Sequence, residues 1–401
     1  MSKNRRWHCA ALTIVSTTLV LALAGPATAA TGATGEGAAG TSTSTSTSTT
    51  ATATAGPRVP APTAHRPVGT SSARLVDPSR PDPWRPDTAS RELMVTFWYP
   101  ASSPRGAHAP YISPKLSRAL YGLDEPATLR ANAVADARPA PGRHPLILLS
   151  PGFGMSRTTL TALGEEFAAR GYAVAAVDST YETSVEFPGG RIESCLACGL
   201  EGTDPEFGAK SSRARAADLR FVLDRLTAPG RGGPVRGLSV DPSRIGAAGH
   251  SLGGAAALEA MREDPRIKAA ADLDGSIWIP AGDDSGRPAL LFSAGVGASP
   301  EATQNWEDNW KRFTGPRYWV DLPTAGHLSF SDEQWIIDDL GLRDQLPPDT
   351  YRESFGTITG NRALAATRAY LGAFFDRHLL GRPAPLLDRP SRAFPEVRFA
   401  K

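Results

Sequence analysis

Short apolar runs alternate along this chain with longer segments in which apolar side chains recur every three or four positions. Residues 93–99 read as an early strand, stopped by Pro100. Nearly continuous apolar runs at 145–150, 172–178, 244–248, 267–273, 288–293 and 318–322 read as strands buried on both faces. Residues 159–170 place Leu160, Leu163 and Phe167 at helical spacing and end at Gly171. Residues 212–226 carry Leu219, Val222, Leu223 and Leu226 on one helical face, and residues 254–261 read as a further helix. A last helix, 362–380, aligns Leu364, Leu371, Phe375 and Leu379 and ends at Gly381. Strands alternating with helices predict an α/β domain, a mostly parallel central sheet with helices on both faces and right-handed crossovers. Such a sheet gathers its chemistry at the carboxyl ends of its strands.

The two ends of the chain differ in kind. Lys3, Arg5 and Arg6 precede an apolar run over about residues 10–24, and Ala27-Thr28-Ala29 follows. That pattern predicts a secretory signal peptide over residues 1–30, cleaved after Ala29 or Ala30. The run is short and broken by Thr and Ser, which argues against a membrane anchor. Arg5-Arg6 leaves a twin-arginine export route open. Residues 31–60, rich in Ser, Thr, Ala and Gly and including the tract Thr41-Ser42-Thr43-Ser44-Thr45-Ser46, cannot bury apolar surface and read as a disordered linker. The catalytic domain is expected over 61–401.

Composition narrows the partners. A formal net charge of +2 without a basic stripe gives no reason to expect nucleic acid. Nothing in the chain signals an oligomer, and a monomer is the expectation. Of the three cysteines, Cys9 lies in the leader. Cys195 and Cys198 are too few for a structural zinc site, and in an exported chain they read as a local disulfide stiffening residues 181–207.

The candidate chemistry centres on Gly249-His250-Ser251-Leu252-Gly253. A buried strand precedes it and a helix follows, so the motif reads as a nucleophile elbow presenting Ser251. A serine hydroxyl needs a base, an acid to orient the base, and donors for the oxyanion. The base should follow the last main strand. His327, in Pro323-Thr324-Ala325-Gly326-His327, fits, whereas His250 adjoins the serine on a turn that directs it away, His144 precedes a strand, and His378 lies in a helix. The acid should fall between Ser251 and His327. Strand 288–293 ends without a carboxylate, which points to Asp274 in Leu273-Asp274-Gly275, with Asp272 as the alternative and Asp283 and Asp284 as further carboxylates. The oxyanion donors are expected to be the N–H groups of Leu252 and of Phe153 in Ser150-Pro151-Gly152-Phe153-Gly154. This scheme calls for no metal and no cofactor.

Taken in order, the Ser150–Gly154 loop, Gly249-His250-Ser251-Leu252-Gly253-Gly254, Leu273-Asp274 and Gly326-His327 resemble the plasma-type platelet-activating factor acetylhydrolase family of α/β-hydrolases. The resemblance runs over roughly residues 92–328 and implies the α/β-hydrolase fold and an acid placed soon after the elbow. Secreted actinobacterial lipase and acetylhydrolase-like members are similar at Leu75–Trp84 and Arg91–Val95. Pro151 stands where the family often has His, and residues 181–207 look particular to this branch. The expected activity is therefore secreted serine ester hydrolysis of lipid esters through an acyl-enzyme, with polymeric esters as the alternative. Leu328, Phe330, Trp335, Ile336, Ile337 and Leu340, with Trp306 and Trp310, would form either a lipid-facing rim in transient contact with a lipid interface or part of the core.

Overall fold

The computed structural model describes residues 57–228, 233–280 and 286–401. The expected leader, most of the linker, and Asp283 and Asp284 lie outside these residues. Strands β1 (Val68–Asp77) and β2 (Arg91–Pro100) form a long antiparallel pair, with Leu75 opposite Leu93. Strand β3 (His108–Pro110), helix α1 (Pro114–Tyr121) and strand β4 (Arg130–Ala135) extend that edge. Strand β5 (His144–Ser150), helix α2 (Thr161–Arg170) and strand β6 (Ala173–Val177) make the first parallel unit. A small hairpin, β7 (Val185–Phe187) and β8 (Arg191–Glu193), precedes helix α3 (Phe207–Thr227). Then come β9 (Val240–His250), α4 (Leu252–Glu263), β10 (Ile267–Leu273), β11 (Ala289–Ala294), α5 (Pro300–Trp310) and β12 (Arg317–Leu322). Helices α6 (Glu333–Asp339), α7 (Pro348–Phe355) and α8 (Gly360–Leu380) and a short β13 (Arg398–Phe399) complete the chain.

The sheet has eleven strands in the order β13-β12-β11-β10-β9-β5-β6-β2-β1-β4-β3. The run from β12 to β6 is parallel throughout. Antiparallel pairings begin on either side of it, at β6–β2 and at β12–β13. Alternation along each strand sends side chains to opposite faces. Ile147 and Leu149 of β5 join Leu163 and Phe167 of α2 and Leu371 and Phe375 of α8 in one core. Leu146 and Leu148 join Leu219, Val222 and Leu223 of α3 and Leu258 and Met261 of α4 in the other. Both faces are covered, which is why the central strands read as unbroken apolar runs.

Several elements were not read from the pattern, among them β1, β3, β4, α1, the β7–β8 hairpin, α5, α6, α7 and β13, and one expected helix starts earlier than its pattern suggested. Strand β1 carries Thr70, Ser71, Ser72 and Arg74, so its pattern is weak, and its order comes from pairing with β2. Helix α3 begins at Phe207, before the expected 212, and this extra turn brings Phe207 to the strand ends. The packed body also starts before residue 61. Val59 is buried and its N–H bonds to Arg130 O at 3.0 Å, while Arg368 holds Pro60 O at 2.9 Å. The expected linker therefore gives its last residues to the domain.

Helix α2 lies close on the sheet because Gly164 faces Trp98, and a Cβ at Gly164 would fall 2.5 Å from the indole ring. Alanine gains about 1 kcal/mol over glycine inside a helix, but overpacking a tight core costs about 1–3 kcal/mol. Trp98 is itself 2% exposed and has nowhere to withdraw. Gly164→Ala is expected to lower the midpoint of thermal unfolding despite the better helix former. An unchanged or raised midpoint would show that the indole can move aside.

Candidate active site

Strand β9 delivers the chain to Ser251 and helix α4 carries it away. Between them Ser251 holds φ 55° and ψ −127°, a conformation unfavourable for a residue with a side chain. Its neighbours show why the turn tolerates only glycine at two places. A Cβ on Gly249 would lie 2.2 Å from the backbone of Gly253, and one on Gly253 would lie 2.1 Å from Ser150 O. The turn is tied down where Ser251 N–H donates to Leu273 O at 2.8 Å. That bond places the nucleophile candidate beside the end of β10, one residue from Asp274.

Asp274 follows β10 with φ 59°, and its own N–H bonds to Phe292 O on β11 at 2.9 Å. Its carboxylate is doubly engaged: Oδ1 accepts the Ala294 N–H at 2.8 Å, and Oδ2 lies 2.7 Å from His327 Nδ1. With Nδ1 donating to the carboxylate, the imidazole leaves Nε2 as its free base. Asp272, the alternative acid, is fully buried. Its Oδ1 accepts the Gly275 N–H at 2.9 Å, and burial pushes the carboxyl well above the usual carboxylate range. Asp272 therefore sits beneath the elbow with its bond to Gly275, while the histidine is held by Asp274.

His250 has a function that the order of residues did not suggest. It is fully buried, its Nε2–H donates to His327 O at 2.8 Å, and its ring packs on the His327 ring at 4.6 Å. Burial, reinforced by the neighbouring His327, holds it well below the ordinary histidine range, so it stays neutral. The residue before Ser251 thus pins the backbone of the candidate base. His144 bonds to backbone carbonyls at the start of β5, and His378 packs on Tyr318 near the end of α8, both away from these groups.

Leu252 opens helix α4, so its N–H has no partner within the helix and lies at the positive end of the helix dipole. Phe153 lies in the turn after β5, where Gly154 N–H bonds to Glu182 O at 3.1 Å and Met155 N–H to Gly152 O at 3.3 Å. The side chains of Phe153 and Leu252 belong to one apolar cluster with Ala197, Phe207 and Trp84. Phe207 meets Phe153 edge-on at 4.9 Å and Trp84 at 5.5 Å. An aromatic wall therefore stands beside the two candidate oxyanion donors.

The Cys195–Cys198 disulfide is present, with an S–S distance of 2.00 Å and Cα atoms 5.6 Å apart. Between the cysteines, Ala197 packs into the same cluster and Leu196 is 50% exposed, and Leu200, two residues beyond Cys198, is 38% exposed. Trp278, 40% exposed, lies against Gly208 next to Phe207. Of the two readings for the apolar residues around 328–340, the core one holds. Leu328, Phe330, Trp335, Ile336, Ile337 and Trp306 are buried in the core, while Leu340 and Trp310 are half-buried and pack against it. Trp306 donates to Gly275 O at 2.5 Å, so it supports the acid loop and faces no solvent. Two carboxyls missed in the sequence, Glu201 and Glu333, are half-buried near His327. Burial raises both, Glu333 to about 7, and the charge of His327 opposes the shift in each.

The strand order, the elbow and the histidine–aspartate pair define an α/β-hydrolase. The family described as platelet-activating factor acetylhydrolase, isoform II, matches residues 117–185. A ferulic acid esterase from Streptomyces cinnamoneus superposes with a TM-score of 0.81 at 55% identity, covering 86% of this chain and 100% of that one. A probable 1-alkyl-2-acetylglycerophosphocholine esterase of Arthroderma benhamiae is 30% identical over 273 residues, covering 64% of this chain and 66% of that protein. The platelet-activating factor acetylhydrolase of Bos taurus is 30% identical over 178 residues, covering 37% of this chain and 39% of the bovine one. Over these stretches the chain is similar to the platelet-activating factor acetylhydrolase family. It spans just under two thirds of the fungal relative and well under half of the bovine one.

The two aspartates are expected to separate cleanly. Asp274→Asn replaces the acceptor of the histidine N–H and should cut kcat on a nitrophenyl ester by roughly 10³–10⁴-fold. Asp272→Asn changes a carboxyl that bonds to Gly275 and not to the histidine, and should leave kcat within about tenfold. Steady-state kinetics of both variants decide the matter, and a larger loss from Asp272→Asn would reverse the assignment.

Proposed function

We propose that this protein is an exported serine hydrolase that cleaves carboxylic esters through an acyl-enzyme. The His327–Asp274 bond at 2.7 Å, next to an elbow serine held in a strained turn, carries this reading. Ser251 Oγ attacks the ester carbonyl as His327 Nε2 takes its proton. Asp274 fixes the tautomer and stabilises the imidazolium. The Phe153 and Leu252 N–H groups hold the oxyanion. His327 then returns the proton to the departing alcohol, and a water activated by the same histidine releases the acid. The basic, apolar and small-residue segments of the first thirty residues support export, as does a disulfide, which persists in oxidising compartments.

On the substrate, the aromatic wall of Trp84, Phe153 and Phe207 favours esters of aromatic acids, whose ring can pack edge-on or offset against it. The 55% identity to a protein titled a ferulic acid esterase points the same way. A second reading, short-chain acyl esters of glycerophospholipids, is supported by the names of the fungal and bovine relatives. Burial of most of residues 328–337 removes the rim that an interfacial lipase would present there.

A fluorophosphonate probe is expected to label the wild-type protein and not Ser251→Ala, and that variant should lose at least about 10⁴-fold in turnover. Near wild-type turnover in Ser251→Ala would refute the acyl-enzyme. Methyl ferulate and an acetylglycerophosphocholine, compared by kcat/KM, divide the two substrate readings: the first is expected to be the better substrate, and the reverse order would favour the phospholipid.

A further inference from the structure

Behind the Phe153 turn lies a buried ion pair most of whose hydrogen bonds lead to the backbone of that turn or to the segment clamped on it, while Glu182 Oε1 also accepts the Trp84 Nε1–H at 3.1 Å. Arg215, on α3, is 2% exposed, and Glu182 is fully buried. Arg215 Nε donates to Glu182 Oε2 at 2.8 Å, and Nη1 donates to Pro151 O at 2.5 Å. Its Nη2 lies 3.5 Å from Gly152 O. Glu182 and Thr183 close the other side, the first through its own carbonyl to Gly154 N–H at 3.1 Å, the second through Oγ1 donating to Gly154 O at 2.9 Å. Every residue from Pro151 to Gly154 except Phe153 is thus held from the buried side.

Removing both charges of a buried pair in favour of well-packed apolar groups is often neutral or stabilising, so stability alone does not explain this one. Peptide geometry does. A trans peptide points its C=O and the following N–H in opposite directions, and the described residues contain no cis peptide bond. The Gly152 carbonyl and the Phe153 N–H belong to one peptide plane. A cation that draws the Pro151 and Gly152 carbonyls inward therefore turns the Phe153 N–H outward. It also keeps two carbonyl dipoles from facing the negative charge that forms in the reaction.

We propose that Arg215, braced by Glu182, is a positioning residue for the oxyanion site: it fixes the orientation of the Phe153 N–H and does not touch the substrate. This rests on the acyl-enzyme reading above. Loss of the clamp then weakens binding of the tetrahedral oxyanion while ground-state binding is preserved.

Two variants of the full mature chain test this. Arg215→Lys keeps the charge and loses the fork. The double variant Arg215→Met with Glu182→Leu removes the pair together, so that no buried charge is left alone and the chain folds even if Arg215→Lys does not. Both are expected to lower kcat on nitrophenyl acetate by roughly 10- to 100-fold, with KM within about twofold. Affinity for an aryl trifluoromethyl ketone, which forms a tetrahedral adduct with the serine, should fall by the same factor as kcat. Thr183→Val, which leaves the pair intact and removes one bond to Gly154, should show a smaller loss of the same kind. Unchanged kcat in a folded variant, or reduced kcat with undiminished ketone affinity, overturns the proposal. Turnover that survives in Ser251→Ala overturns the acyl-enzyme reading instead, so the two failures are distinguishable.

Discussion

The arrangement of this site depends on one constraint: Ser251 must stay in a backbone conformation that a free chain would avoid. Such a conformation costs about 1–3 kcal/mol and persists only where its surroundings leave no alternative. Here the surroundings are backbone. The end of β9, the first turn of α4 and the Ser150–Pro151 peptide approach so closely that side chains at Gly249 and Gly253 have no room. The Ser251 N–H is meanwhile taken by Leu273 O. The turn is therefore secured by three strand ends at once, β5, β9 and β10, and those same ends carry Phe153, Ser251 and Asp274. Holding the strained residue and assembling the site are one act of packing.

Charge is distributed around that turn in a consistent way. Burial disfavours charge on the groups directly beneath it, raising the Asp272 carboxyl and lowering the His250 imidazole. Each spends its hydrogen bond on backbone, Asp272 on Gly275 and His250 on His327. The ionic groups lie one layer further out. The Arg91 guanidinium, itself fully buried, joins Asp218 at 2.8 Å on the helix that also carries Arg215. Helix α3 thus ties together the early strands, the Glu182 segment and the Phe153 turn. In a low-dielectric interior such pairs are costly if one partner is lost, so the layer acts as a unit.

Much of this was written in local pattern. The parallel strands are apolar runs because both of their faces are covered, and the helices ended where Gly171 and Gly381 adopt left-handed conformations. Ser251 was legible because an elbow needs small residues on both sides, and His327 and Asp274 because each follows a strand. Strand β1 was hidden by its Ser and Thr content, and the apolar segment around Phe330 and Trp335 carried no mark of which side faced water. Apolar composition states that a residue can be buried and is silent on what covers it.

What the chain by itself determined was the list of candidate groups and the order of the elements that deliver them, since both follow from spacing and residue type within short windows. The tertiary structure alone put Asp274 and not Asp272 on His327, made His250 a brace for that histidine, and set Arg215 behind the Phe153 turn. These are choices between chemically similar side chains, settled by contacts across dozens of residues. The reason is dielectric and geometric: whether a carboxyl is ionised, or a guanidinium has a carbonyl to hold, depends on what the fold packs around it.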